Sequence, residues 1–154
     1  MLIRPGRVKE AAEVSCLMYK AFLPYRRYYT LGAFDYTILD LKKIKERVKK
    51  KLLFVVEKEG RIIGTGSYRD DGNFFYIRSM AVDPKYQGQG VARTMLQFFE
   101  NLAKEKGFKE ITLETTPFLK RAITLYQTFG FRRVENSGRD FFGNIVFLMQ
   151  KQLK

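Results

Sequence analysis

The sequence predicts an α/β domain in which helices flank a mixed, mostly antiparallel central sheet. Three observations predict it. Stretches with helical spacing of apolar residues alternate with short apolar strands along the chain. Two turn signals, Glu59-Gly60 and Asp70-Asp71-Gly72-Asn73, join consecutive strands into a meander. A glycine-containing turn carries the chain from a strand ending near Val82 straight into a helix. The resulting order is β-α-α-β-β-β-α-β-α-β-β, in one domain over residues 1–154.

Taken in order, Leu2–Arg4 forms a first strand, and Val8, Ala11, Ser15, Met18 and Phe22 mark one face of a first helix, ended by Pro24. An aromatic-basic loop, Tyr25-Arg26-Arg27-Tyr28-Tyr29, follows. The spacing predicts a second helix from about Asp35 to Lys51, with Ile38, Leu41, Ile44 and Val48 as its stripe and seven Lys or Arg residues from Lys42 to Lys51. Strands at Leu53–Lys58, Ile62–Tyr68 and Phe74–Val82 come next, the last stopped by Asp83-Pro84. Val91, Met95, Phe99 and Leu102 then mark a helix that ends at Gly107, the position a left-handed helix cap requires. Ile111–Thr115 reads as a buried strand. A helix opened by Pro117 carries Ala122, Ile123, Tyr126 and Phe129 and closes at Gly130, before two last strands, Phe131–Glu135 and Asn144–Gln150.

Composition narrows the function. With 45% hydrophobic residues in 154, the chain is globular and long enough to bury a core. No apolar stretch approaches the roughly 20 residues that cross a bilayer, and the N-terminus lacks the apolar core of a signal peptide, so no membrane partner is expected. One cysteine, Cys16, cannot close an internal disulfide, which points to a reducing cytoplasmic setting. There is no histidine, so His-based triads are excluded and no metal site is expected. The 29 Lys and Arg residues against 16 Asp and Glu give a net charge of +13, which favours anionic partners or is simply a solvated surface.

The most informative segment is Met80-Ala81-Val82-Asp83-Pro84-Lys85-Tyr86-Gln87-Gly88-Gln89-Gly90-Val91-Ala92-Arg93. Glycines let backbone approach a ligand closely and take positive φ. The free N–H groups of the helix start carry the positive end of its dipole, and together these make a diphosphate cradle. Neither the Gly-Lys-Ser/Thr of a Walker loop nor the three-glycine dinucleotide signature is present. Gln87-Gly88-Gln89-Gly90-Val91-Ala92 instead resembles the Gln/Arg-x-x-Gly-x-Gly/Ala acetyl-CoA signature of the GNAT superfamily of N-acetyltransferases. Ala122-Ile123-Thr124-Leu125-Tyr126-Gln127-Thr128-Phe129-Gly130-Phe131 is similar to a second segment of that family. The likeness runs from about Leu53 to Val134 and is greatest to the branch that acetylates N-termini of ribosomal proteins.

The resemblance implies a GNAT-like domain with acetyl-CoA as cosubstrate. It implies that Met80, Ala81 and Val82 pair with the pantetheine arm and that Gln87, Gly88, Gln89, Gly90, Val91, Ala92 and Arg93 hold the diphosphate. Tyr126 matches the family tyrosine that protonates the departing thiolate; a phenol, with an ordinary pKa near 10, can protonate a sulfur anion. Glu114 coincides with the base of the ribosomal-protein branch, while Tyr76 on the central strand reads as packing. The family asparagine three positions before Ala122 is Leu119 here.

The resemblance implies an amine as the acceptor. Deprotonating a lysine-like amine at pH 7 costs roughly 4–5 kcal/mol, an α-amine about 1–1.5. The loop with Arg26, Arg27, Tyr28 and Tyr29 is expected to line the acceptor groove, which suits an acidic or aromatic acceptor better than a polyamine. Direct attack is expected, since Cys16 lies far in sequence from the cradle. A second copy of the chain is an admissible partner. The competing readings are a non-catalytic acyl-CoA-binding regulator and a basic nucleic-acid-binding module using Lys42–Lys51, for which no recognition motif is present.

Overall fold

In a computed structural model, which describes residues 1–154, the chain folds around one twisted sheet. The strands are β1 (Leu2–Pro5), β2 (Leu53–Lys58), β3 (Arg61–Asp70), β4 (Phe75–Val82), β5 (Glu110–Thr115), β6 (Arg132–Arg133), β7 (Arg139–Phe141) and β8 (Asn144–Gln152). The helices are α1 (Ala11–Phe22), α2 (Leu31–Thr37), α3 (Leu41–Lys49), α4 (Val91–Glu105) and α5 (Lys120–Phe129). Strand order is β1-β2-β3-β4-β5-β8-β6, with β7 against β8; only β4 and β5 run parallel. The mixed, mostly antiparallel sheet is as the sequence predicts.

Each face of the sheet buries its own core. On one side α4 presents Val91, Met95, Leu96, Phe99 and Ala103, four and three residues apart, to Ile63, Phe75, Ile77, Ile111 and Leu113. On the other side α1 brings Ala11, Val14, Leu17, Met18 and Ala21 onto Leu53, Val55, Ile62 and Ala81, with Ile44 of α3. Strand alternation splits neighbours such as Val55 and Val56 between the two cores. The helix α4 lies close because Gly64 and Gly66 of β3 have no side chain: a Cβ there would sit 2.9 Å from Val91 and Phe99.

Several expectations are corrected. The second helix is two: Asp40 accepts from the Lys43 N–H at 2.8 Å and caps α3, so the chain breaks at Ile38–Asp40 and α2 begins earlier, behind the Thr30 cap. Leu39 rather than Leu41 is then buried. Within the first helix, Val8 is exposed and sits in a 3-10 turn preceding α1. The loop after α1 is a 3-10 turn, Leu23–Tyr28. Pro117 does not open α5, which begins at Lys120, and the final strand pair gains a third short strand, β7.

Candidate active site

The hydrogen-bond ladder between β4 and β5 stops almost as soon as it starts. Tyr76 faces Thr112 and Ile77 faces Leu113, and no further pairs form. Past Ile77, β4 bulges: its register against β3 shifts between Ala81 and Arg78, and Ser79 takes a φ of 57°. The strands diverge, leaving the β5-facing edge of Arg78–Val82 without a strand partner. A cavity of about 880 Å³ occupies the gap.

At the end of β4 the chain turns through Gly88 (φ 79°) and Gly90 (φ 82°) into α4. Gly90 caps the helix in the left-handed conformation with no side-chain bond. The first amide of α4 with a helical acceptor is that of Thr94, so those of Val91, Ala92 and Arg93 stay free. Nothing lies within 4 Å of where a Cβ on Gly88 or Gly90 would stand, so both glycines serve positive φ and an open approach. Free amides, open space above them and an unpaired strand edge fit a nucleotide diphosphate with a pantetheine arm.

Met80, Ala81, Val82, Gln87, Gly88, Gly90, Val91, Ala92 and Arg93 all line this cavity. Gln89 does not; its side chain turns back and donates to the Lys85 carbonyl at 3.4 Å. The Gln87 amide reaches the Val82 carbonyl at 3.5 Å, closing the turn onto the strand.

Tyr126 on α5 and Glu114 on β5 reach the same cavity. Burial pushes the Tyr126 phenol up to about 12. Tyr29 is raised further, by burial and by the nearby Tyr126 and Tyr25. Glu114 is held by Arg139 through two bonds, 2.8 Å from Nε to Oε2 and 2.6 Å from Nη2 to Oε1. This pairing raises the Arg139 guanidinium. Thr115 Oγ1 is buried beside the cavity with no partner. Tyr76 also reaches the wall, with Arg69 stacked 4.4 Å over its ring.

The loop after α1 contributes only its tyrosines. Tyr25 and Tyr29 line the cavity, whereas Arg26 stacks on Phe34 and Arg27 on Tyr28, outside it. Besides Arg93, the basic lining comes from Arg47, Arg69, Arg78, Arg121 and Arg139, which sequence reasoning did not single out. The available signal was a charge inside the apolar run Phe75-Tyr76-Ile77-Arg78. Burial and the charge of Arg78 bring Arg47 down to about 10, and burial with Arg69 lowers Arg78.

A sheet parted at its centre, with an amide-lined helix start at the end of the parted strand, defines an α/β fold of the acyl-CoA-handling kind. Residues 17–131 match the acetyltransferase (GNAT) family, and the chain belongs to it. It is 35% identical over 86 residues to the uncharacterized N-acetyltransferase YjgM of Escherichia coli, covering 53% of this chain and 52% of that protein. The chain spans about half the length of the curated relatives it matches first. Among solved structures, the PaiA N-acetyltransferase of Thermoplasma acidophilum in complex with coenzyme A superposes with a TM-score of 0.83 at 17% identity, over 98% of each chain. The ribosomal-protein-alanine N-acetyltransferase of Brucella melitensis gives 0.77 at 21%, over 99% of this chain and 100% of that one. No helix is long and apolar enough to cross a membrane, and no cluster of three His, Cys, Asp or Glu residues could hold a metal.

Proposed function

We propose that the protein transfers an acetyl group from acetyl-CoA directly to a primary amine. The observation that carries this is the continuity of one cavity from the free amides at Gly88–Arg93, along the unpaired edge of β4, to the buried phenol of Tyr126. Acetyl-CoA supplies a thioester whose acyl carbon accepts the amine. The amides at Gly88–Arg93 grip the diphosphate, and Gln87 fixes the turn that presents them. The edge at Met80–Val82 aligns the pantetheine arm as an added strand, and a β4 amide near Val82 polarises the thioester carbonyl.

Two proton movements complete the reaction. Tyr126, held in its protonated form by burial, donates to the departing sulfur. Glu114 takes the proton the amine must lose. Both its oxygens accept from Arg139, yet a carboxylate keeps further lone pairs for an ammonium. Cys16 is exposed on α1 and does not line the cavity, consistent with transfer without a covalent enzyme intermediate.

Acetyl-CoA at 100 times its Kd adds about 2.7 kcal/mol to stability, read as a raised melting temperature, and amines added to that complex release free thiol. Absence of a thermal shift at millimolar acetyl-CoA overturns the assignment. A shift without thiol release from any amine leaves an acyl-CoA-binding protein instead.

A further inference from the structure

We propose that the acceptor is a small amine carrying a carboxylate, seated on the guanidinium groups of Arg47 and Arg78. This rests on the acetyl-transfer reading of the cavity and names the substrate class for it.

Arg47 arrives from α3 and Arg78 from β4, and both line the cavity. Each is close enough to Tyr36 to feel it, Arg47 feels Arg78, and Arg69 adds a third cation beside Arg78. No carboxylate answers them. The ion pairs of the fold are Arg4 with Glu10 and Glu57, Glu100 with Lys104 and Lys151, and Glu114 with Arg139. Glu46 shares a second, small cavity with both arginines, but pairs with neither and stands there beside Lys43 and Lys50. Arg47 donates to the Ser79 hydroxyl at 2.9 Å, and Nε of Arg78 is buried with no partner at all.

Arg47 and Arg78 are half-buried, and a guanidinium drawn out of water ordinarily faces a carboxylate, because an unpaired charge there is costly. Both arginines line the cavity and neither meets a carboxylate of the fold, so their partner is what enters it. A carboxylate takes two N–H donors from one guanidinium, a match no alcohol or amide makes. The same cations disfavour a protonated amine nearby, so the bound acceptor loses its ammonium proton more readily. The acceptor nitrogen then bonds to the acetyl carbon, the carbon–sulfur bond breaks, and the thiolate is protonated.

Chain crossing the acceptor end points to a short molecule. Thr30 N donates to Asn144 Oδ1 at 2.9 Å, Thr30 Oγ1 to the Phe142 carbonyl at 2.6 Å, and Asn144 Nδ2 to the Tyr28 carbonyl at 3.0 Å. The Tyr36 ring lies 5.5 Å from that of Phe141 and 5.3 Å from that of Phe142. These contacts tie the β7–β8 turn to the loop before α2 and to α2 itself, and with Tyr36, Phe141 and Asn144 in the cavity lining they bridge walls that a polypeptide acceptor would have to pass between.

The test uses two readouts on the full chain. The first is thiol release from acetyl-CoA with L-glutamate and L-aspartate, their diamides glutaminamide and asparaginamide, phosphoethanolamine, spermidine and a peptide beginning with glutamate. The acids should exceed the diamides by about tenfold or more in kcat/KM, the size of one charge-assisted contact. Arg78→Gln and, separately, Arg47→Gln should collapse that ratio toward one, whereas a folding defect would lower both substrates alike. The second readout needs no turnover: succinate should raise the melting temperature of the unaltered protein and lose that effect in Arg78→Gln, or in Arg78→Lys should the glutamine variant not fold. Diamides, spermidine or phosphoethanolamine turned over as well as the acids overturn the proposal. So does preference for the peptide, or a succinate shift that survives the variants. A succinate shift that disappears in the variants while acetyl-CoA gives none supports the anion seat and sinks acetyl transfer, so the two failures are distinguishable.

Discussion

A phenol serves as an acid only while it keeps its proton, and Tyr126 keeps it because burial holds the group near 12. Tyr126→Phe should lower kcat by about 100-fold with acetyl-CoA affinity retained, since ring packing against Phe131 at 5.9 Å survives loss of the hydroxyl. Glu114→Gln should act on the other limb: a base works only when deprotonated, so the rise of kcat/KM with pH on the acidic side should flatten. Equal turnover in Tyr126→Phe, or an unchanged profile in Glu114→Gln, assigns that proton to another group or to water. At this scale the residues legible in the sequence are those whose identity and spacing are themselves the signal, the two glycines and the tyrosine of α5. Arg47 and Arg78 were not legible. Seven basic residues crowd the stretch around Arg47, and which one is half-buried without a carboxylate depends on where β4 lies. Arg26 and Arg27 erred the other way, their sequence neighbours being aromatic rings that hold them outside the cavity.

Among elements, those with strong periodicity or glycine punctuation were read closely. Strand β2 has the predicted bounds, the Glu59-Gly60 turn has positive φ at both residues, and α4 runs up to Gly107 at φ 86°. What escaped is where capping competes with periodicity. The stripe through Ile38 and Leu41 continues across Asp40, but an aspartate that accepts from the N–H three residues on begins a helix rather than crossing one. The start of α5 shows the converse. Leu119 stands at its N-cap with no side-chain bond, and it also lines the cavity. Leu119→Asn should stabilise the protein by about 1 kcal/mol, measured by denaturant titration, and tighten acetyl-CoA binding. Lower stability in that variant would mean that Leu119's apolar contacts outweigh the cap.

At the level of the molecule, the sheet joins the two cores, and on the α4 side one buried ion pair ties α4 to β8. Glu100 of α4 is 6% exposed and meets Lys151 of β8 at 2.6 Å. Burial alone would raise the Glu100 carboxyl, yet the bonds from Lys151 and Gln97 hold it below the ordinary carboxylate range. A carboxyl lowered on folding contributes stability above its unfolded value and loses it as pH falls through the folded one. Lys151→Met should therefore cost about 3 kcal/mol at neutral pH and less on acidification below the carboxylate range, read as melting temperature against pH. A cost that does not depend on pH would mean lost packing on Phe129, over which the ammonium sits at 4.1 Å, rather than lost charge.

The parting of β4 from β5 leaves two rungs, at Tyr76 and Ile77, to join the β1–β4 side to the β5–β8 side. Most sheets are continuous walls; this one is closer to a book whose spine is stitched at one end. A thin molecule lying along the open margin, as the proposed acetyl-CoA site requires, would supply the missing stitches, so the part of the fold with the weakest backbone continuity would be the part that occupancy makes whole. Rigidity across the two leaves thus depends on what lies between them.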